Sequence, residues 1–415
     1  MHGQLPVVWD RAEGFQVFDS WGNCWIDFTS TIFVANAGHG NPRICAALEE
    51  VVKKPNLHTY TYGSPERAEY LEYLIENTPE NFEKAYLLSA GTEAVEAALK
   101  LMRLNGQKAG KKRGGILCFE GNWHGRTLGA QMMGGNASQK DWIGYLDPNL
   151  FHLPFPYPWN EHAVADPAAF FEQSLEALCA EQGLSADEDI CGIMFETFQG
   201  WGAVFYPEEY VQAAQAFAKK HNILIAFDEM QSGFGRTGKL FGYMHYGVMP
   251  DLICCGKGAS SSLPLSFVLG PASILDLPDI GSMSSTHSAN PMVCAAGKAN
   301  LEALIEDGLI DNAATQGETF QQRLNDLASQ VDSHKITISG KGLVAAVIIH
   351  TRDGQPASDL CDRVCVLAMQ RGLLVVNTGR ESIKLAPPLC ITEEAMAEGL
   401  EVFADAVHDA IAEMA

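Results

Sequence analysis

The chain has 415 residues, long enough to bury a large core in two or three domains or in one large α/β unit. Its 51 acidic side chains outnumber 28 basic ones, and the formal charge of −23 leaves no basic footprint for a nucleic acid or an anionic membrane. Eleven cysteines, with no CxxC pair and with Cys254 and Cys255 adjacent, fit neither a disulfide framework nor a zinc site, so no metal is expected and the thiols are read as reduced.

The opening "MHGQLPVVWDRAEG" has no basic segment followed by an apolar one, and no apolar run further on reaches spanning length, so a cytoplasmic protein is expected. "GFQVFDSWGNCWIDFTS" (14–30) reads as strands joined by a turn at Trp21-Gly22-Asn23. "HGNPRICAALEEVVKK" (39–54) carries Pro42 near the start of a helical period. "LLSAGTEAVEAALKLMRL" (87–104) is a strand, a tight turn and a helix start, with Val95, Ala98, Leu99 and Met102 on one face. There Gly91 permits close backbone approach, and Thr92 adds a hydroxyl beside free amides, a setting that favours a phosphate and equally describes an ordinary helix cap.

"GGILCF" (114–119) reads as a strand leading into "GNWHGRT" (121–127). Trp123 and His124 stand side by side there, either to receive a flat, electron-poor ring or as a core indole beside a satisfied imidazole. "ICGIMFE" (190–196), "NILIAFDE" (222–229) and "PDLICCGK" (250–257) are apolar runs that each reach a charged residue. In a parallel sheet ligand chemistry collects at the carboxyl ends of the strands, so Glu196, Asp228 and Lys257 converge on one crevice unless each merely begins a surface loop. "GFGRTG" (233–238) matches the dinucleotide pattern GxGxxG, but it lies past the strand tip and no helix-forming run follows it, so it reads as a structured loop. "KGLVAAVIIH" (341–350) and "GLLVVN" (372–377) read as strands, and "EEAMAEGLEVFADAVHDAIAEM" (393–414) as an amphipathic closing helix.

Strands alternating with helices make this an α/β protein: a small domain built from both chain ends, 1–55 and 296–415, around a larger central one, 56–295. A lysine in a dry pocket forms an imine with an aldehyde, an aspartate at the end of the preceding strand holds a pyridine nitrogen protonated, and a helix N-terminus takes a phosphate. Lys257, Asp228 and Gly91-Thr92 meet those three requirements, which describe pyridoxal 5′-phosphate.

Nearly the whole chain resembles the class III aminotransferases, pyridoxal-phosphate enzymes of fold type I. The segments that carry the likeness are "FDSWGNCWIDF", "GHGNPRI", "SAGTEAVEAALK", "WHGRT", "FDEMQSGFGRTGKLF", "PDLICCGKG", "STHSANP" and "APPLCIT". The resemblance implies a mostly parallel central sheet in the large domain and an α+β small domain. It implies that Lys257 bonds the cofactor and moves the proton on the substrate carbon, that Asp228 pairs with the pyridine nitrogen, and that Gln231 lies near the ring's 3′-oxygen. Trp123 would stack on the cofactor with His124 beside it, and Gly91 and Thr92 would hold the phosphate. Thr286 would reach the phosphate of a neighbouring subunit, which implies a homodimer with shared sites. Glu196 matches a glutamate that pairs with an arginine gating the substrate pocket.

One position departs from the pattern: where relatives carry a carboxylate-binding arginine before the "APPL" segment, this chain has Lys384. A lysine offers a point charge in place of a two-pronged fork, so Arg380 or Arg126 would have to substitute, or the substrate would differ. The expected activity is amino-group transfer from a primary amine or ω-amino acid to a keto acid. The alternative is an ammonia-lyase or phospho-lyase acting on a small aminoalkyl phosphonate or phosphate.

Overall fold

The computed structural model describes residues 5–54 and 56–414. The first four residues of the opening stretch, Pro55, on which the expected 1–55 boundary falls, and Ala415 lie outside the described residues.

Seven strands form the large sheet: β1 (Lys84–Leu88), β2 (Gly115–Phe119), β3 (Leu150–Leu153), β4 (Ile190–Glu196), β5 (Leu224–Asp228), β6 (Leu252–Cys255) and β7 (Ser266–Gly270). Their spatial order is β1-β7-β6-β5-β4-β2-β3. β6, β5, β4, β2 and β3 run parallel, and β7 is antiparallel to β6 and to β1. Every residue of β2, β4, β5, β6 and β7 is buried, which is why these strands are unbroken apolar runs and not alternating ones: both faces of the sheet are covered.

Helix α1 (Gly91–Lys108) covers part of one face with Ala94, Val95, Ala98, Leu101 and Met102. Leu99, expected on that face, is only half-buried, because small alanines let the helix settle with the Ala94–Ala98–Leu101 line innermost. The ladder sets the register that matters most: Asp228 stands opposite Glu196 on one side and Cys254 on the other.

The two chain ends meet in smaller sheets. Strands Arg11–Glu13, Gln16–Phe18 and Cys24–Asp27 form a meander that Leu373–Leu374 joins in parallel. Strands His334–Lys341, Val344–Thr351, Ser382–Leu385 and Val376–Asn377 form a second sheet. The "GLLVVN" stretch is therefore split between two sheets instead of forming one strand. All eleven cysteines are free, and seven are buried. No helix among the described residues is long and apolar enough to cross a membrane.

Candidate active site

Three parallel strand ends supply the centre. β6 closes at Cys255, Gly256 continues extended, and Lys257 then turns with φ of 46°, a left-handed conformation rare outside glycine and concentrated at functional sites. The lysine is half-buried and its side-chain amine makes no hydrogen bond among the described residues, so it is uncommitted. Burial holds its pKa below the usual lysine value, against the pull of Asp228 and Glu196. On the neighbouring strand Asp228 is buried and doubly held: Oδ1 accepts from Met230 N at 3.0 Å, and Oδ2 lies 2.9 Å from His124 Nδ1. A carboxylate oxygen can only accept here, so Nδ1 carries the proton, and the buried Nε2 is left without a partner in the chain.

Glu196 ends β4 beside Asp228, 4% exposed. Its Oε2 accepts from Trp123 N at 3.0 Å and its Oε1 from Gln231 Nε2 at 3.4 Å. Burial, with Asp228 adding to it, pushes its carboxyl up to about 8. Gln231 turns its other end to Lys384, whose Nζ donates to Gln231 Oε1 at 3.0 Å. The Lys384 ammonium lies 4.5 Å from the Phe33 ring centroid, and burial, with Lys257 adding to it, pushes its pKa down to about 7. Lys384 therefore meets Glu196 through the Gln231 amide and not directly.

Around this centre, Gly91 opens α1, and the first amides of the helix have no intrahelical acceptors. The Thr92 hydroxyl bonds that of Thr127. A Cβ on Gly125, at φ of 137°, would lie 2.4 Å from Thr92 Oγ1, so only glycine lets the "WHGRT" loop close onto the helix start. A Cβ on Gly91 or on Gly256 would each fall 2.6 Å from Met230 Sδ, so one thioether wedges the helix start and the Lys257 turn against the Asp228 loop. Pyridoxal 5′-phosphate fits these residues. The lysine amine is uncommitted, the aspartate is fixed by an imidazole, and a glycine-built cradle stands at a helix N-terminus with the half-buried Trp123 beside it.

Other candidates stand apart. Arg126 is exposed and lies 4.6 Å over the Trp123 ring, and Arg380 lies 3.9 Å over the Trp201 ring while pairing with Glu381 at 2.9 Å. Thr286 sits in an exposed loop, and its carbonyl lies 2.8 Å from His58 Nε2.

Sequence reasoning missed Glu229, Arg236 and Phe33. Glu229 is fully buried behind Asp228, where it takes hydrogen bonds from Thr197, Ser232 and the amides of Gly242 and Tyr243. Arg236, the arginine of "GFGRTG", is fully buried and caps the carbonyls of Leu343 and Pro387 while reaching Ser30 Oγ and Asn36 Oδ1. The signal for Glu229 was present: a second acid directly after a buried strand-end acid has no apolar reason to be there.

Comparison with known proteins follows the same line. The class III aminotransferase profile (Aminotransferase class-III) matches residues 1–407. The chain is 31% identical to an alanine/serine racemase of Pyrococcus horikoshii over 98% of its own length and 87% of that protein's. It is also 31% identical to an ornithine aminotransferase of Emericella nidulans, over the same shares of 98% and 87%. The structure of an (S)-enantioselective ω-transaminase from Thermomicrobium roseum superposes with a TM-score of 0.88 at 29% identity, over 98% of this chain and 93% of that one.

Proposed function

The chain belongs to the class III aminotransferases, and from that membership we propose that it moves an amino group from a primary amine or ω-amino acid to a keto acid, with pyridoxal 5′-phosphate as cofactor. The observation that carries the reading is the uncommitted Lys257 amine one strand away from an aspartate fixed by a buried histidine. When bound, the cofactor supplies an electron sink for the charge left at the substrate carbon once its proton is removed.

The residues divide the work by position. Lys257 would hold the cofactor through its amine and, kept unprotonated by the burial that lowers its pKa, would take and return the proton at the substrate carbon. Asp228 keeps the ring nitrogen protonated, and His124 fixes that carboxylate in place. Trp123 would stack on the ring, Gln231 would lie near its 3′-oxygen, and Gly91 and Thr92 would hold the phosphate with helix-terminal amides and a hydroxyl. Glu196 and Lys384 face the substrate side of the centre. Thr286, exposed on one protomer, is assigned to the cofactor phosphate of a second copy, so the working unit is a homodimer with shared sites. The small domain is assigned to 1–55 with 296–415, and the compartment to the cytoplasm.

Elimination of ammonia or phosphate is not favoured, since the curated relatives include aminotransferases for ornithine, acetylornithine and 4-aminobutyrate. The test is to give the loaded enzyme an amine donor alone. Amino-group transfer stops after one equivalent per site and resumes when a keto acid is added. Sustained release of ammonia or phosphate, or steady inversion of a chiral donor without any keto acid, would overturn the reading.

A further inference from the structure

Met230 has no part in the proposed reaction, yet it meets the elements of the cofactor site at three points. It stands in the loop after β5, is 8% exposed, and packs into the apolar cluster that holds Leu88, Ala94 and Val268. Its backbone N–H donates to Asp228 Oδ1 at 3.0 Å, which pins the residue to the aspartate assigned to the ring nitrogen. Its side chain reaches the other two points. A Cβ on Gly91 would lie 2.6, 3.2 and 3.4 Å from Met230 Sδ, Cε and Cγ, and a Cβ on Gly256 would lie 2.6 Å from the same Sδ. The sulfur therefore rests between two glycine backbones, one at the start of α1 and one directly before Lys257.

We propose that Met230 is a positioning residue that fixes the span between the two anchors of the cofactor, the phosphate cradle at Gly91 and the amine of Lys257, and thereby selects the phosphorylated form of pyridoxal over the unphosphorylated one. The assignment rests on the Lys257 and Gly91 contacts of the proposed function and adds to them a residue that acts through its neighbours. A ligand held at both ends gains from the second anchor only when the frame keeps the anchors at the ligand's own length, and slack in the frame removes that gain first.

Two features tie the frame to this sulfur. Gly256 has an extended backbone at φ of −175°, which any residue adopts, so the turn itself does not call for a glycine there. The sulfur does: besides Met230, the neighbour that a Gly256 Cβ would approach is Ser266 Cβ at 3.5 Å, an ordinary contact. The start of α1 is meanwhile held on its own account. Ser266 Oγ donates to Ala90 O at 2.8 Å, and Glu93 Oε2 accepts from Ser89 N and Ala90 N at 2.9 Å each. What is left to fix is the Lys257 turn relative to that helix start, and the thioether fills the gap between them. Methionine suits the place because its chain is unbranched and its sulfur polarizable, whereas a valine would end one atom before the sulfur.

The experiment reloads the full-length enzyme in turn with pyridoxal 5′-phosphate and with pyridoxal, and reads for each the concentration that half-develops the visible absorbance band. The ratio of the two affinities is the readout, because a general loss of stability weakens both compounds alike. Met230→Ala should lower affinity for the phosphorylated compound on the order of 10-fold and leave pyridoxal within about 2-fold. Met230→Leu, close in volume, should restore most of the ratio. Met102→Ala, which opens a void in the same apolar cluster where Met102 packs on Gly192 of β4, should destabilise the fold and keep the wild-type ratio. Gly256→Ala should lower the ratio when Met230 is present and change it no further in the Met230→Ala background, since the collision is with the sulfur. A ratio unchanged in Met230→Ala, or one that falls as far in Met102→Ala, overturns the inference; if Met230→Ala does not fold, an unchanged ratio in Gly256→Ala overturns it. A wild type that forms no band with either compound, or a band that survives Lys257→Ala, strikes the cofactor assignment instead.

Discussion

Glu229→Gln is the sharpest test of how the centre is held, because the four donors around that carboxylate leave no room for ambiguity. Oε1 accepts from Thr197 Oγ1 at 2.7 Å and Tyr243 N at 2.7 Å; Oε2 accepts from Ser232 Oγ at 2.6 Å and Gly242 N at 2.9 Å. Burial raises the pKa of this carboxyl while the four donors pull it down, so a protonated form must also be considered. A carboxylic proton would point at the Ser232 or Thr197 hydroxyl, which can rotate to accept it. The amide of glutamine cannot be accommodated that way: one N–H meets a hydroxyl, but the other points straight at the N–H of Gly242 or Tyr243. One hydrogen bond is lost and a buried donor is left facing a donor, together about 2–4 kcal/mol. Since Glu229 stands between Asp228 and the loop that carries Met230 and Gln231, the loss should loosen all three. Denaturant unfolding of the loaded enzyme should show that loss of stability, and cofactor release on dilution should be faster than in wild type. Wild-type stability in Glu229→Gln would refute the assignment of these four bonds.

Further predictions test the chemistry and the cradle. Lys257→Ala should abolish the visible absorbance band of the loaded enzyme and the borohydride-fixed label; a labelled peptide from elsewhere in the chain would move the cofactor to another lysine. Asp228→Asn should keep the fold and lower turnover by ~10²–10⁴, because an amide cannot hold the ring nitrogen protonated, and near-normal turnover would remove the electron-sink argument. Gly125→Ala should weaken cofactor retention, as its Cβ would fall 2.4 Å from Thr92 Oγ1 and 3.1 Å from the buried Ala130 Cβ; equal affinity for the cofactor would show that the cradle does not need this glycine.

What could be read from the chain and what could not divides along one physical line. β4, β5 and β6 were legible because full burial makes each an unbroken apolar run, and a parallel sheet brings their charged carboxyl ends together whatever else the chain does. Asp228 and Lys257 therefore fell into place from local pattern alone. The His124–Asp228 contact was half legible: "WHG" sits at a strand end, but only the fold shows that the imidazole closes on this carboxylate across 104 residues. Lys384 was noticed only as a departure from a pattern, and its meeting with Gln231 joins residues 153 apart, from a strand of the 334–385 sheet to the loop after β5.

The turn at Ser30, Thr31, Ile32 and Phe33, with left-handed φ of 43°, 53°, 63° and 68°, was illegible for a stronger reason. Threonine and isoleucine avoid left-handed geometry, so every local rule predicts something else there. The conflict is settled from outside the segment by Arg236, which belongs to a glycine pattern whose most familiar meaning was a dinucleotide loop. Local preference was overridden beside the position that the sequence reads as a departure from the family pattern: Phe33 from the strained turn lies on Lys384. Strain in an otherwise well-paired fold is retained where it positions something, and here it lays Phe33 on the buried Lys384 ammonium, which makes no ion pair among the described residues.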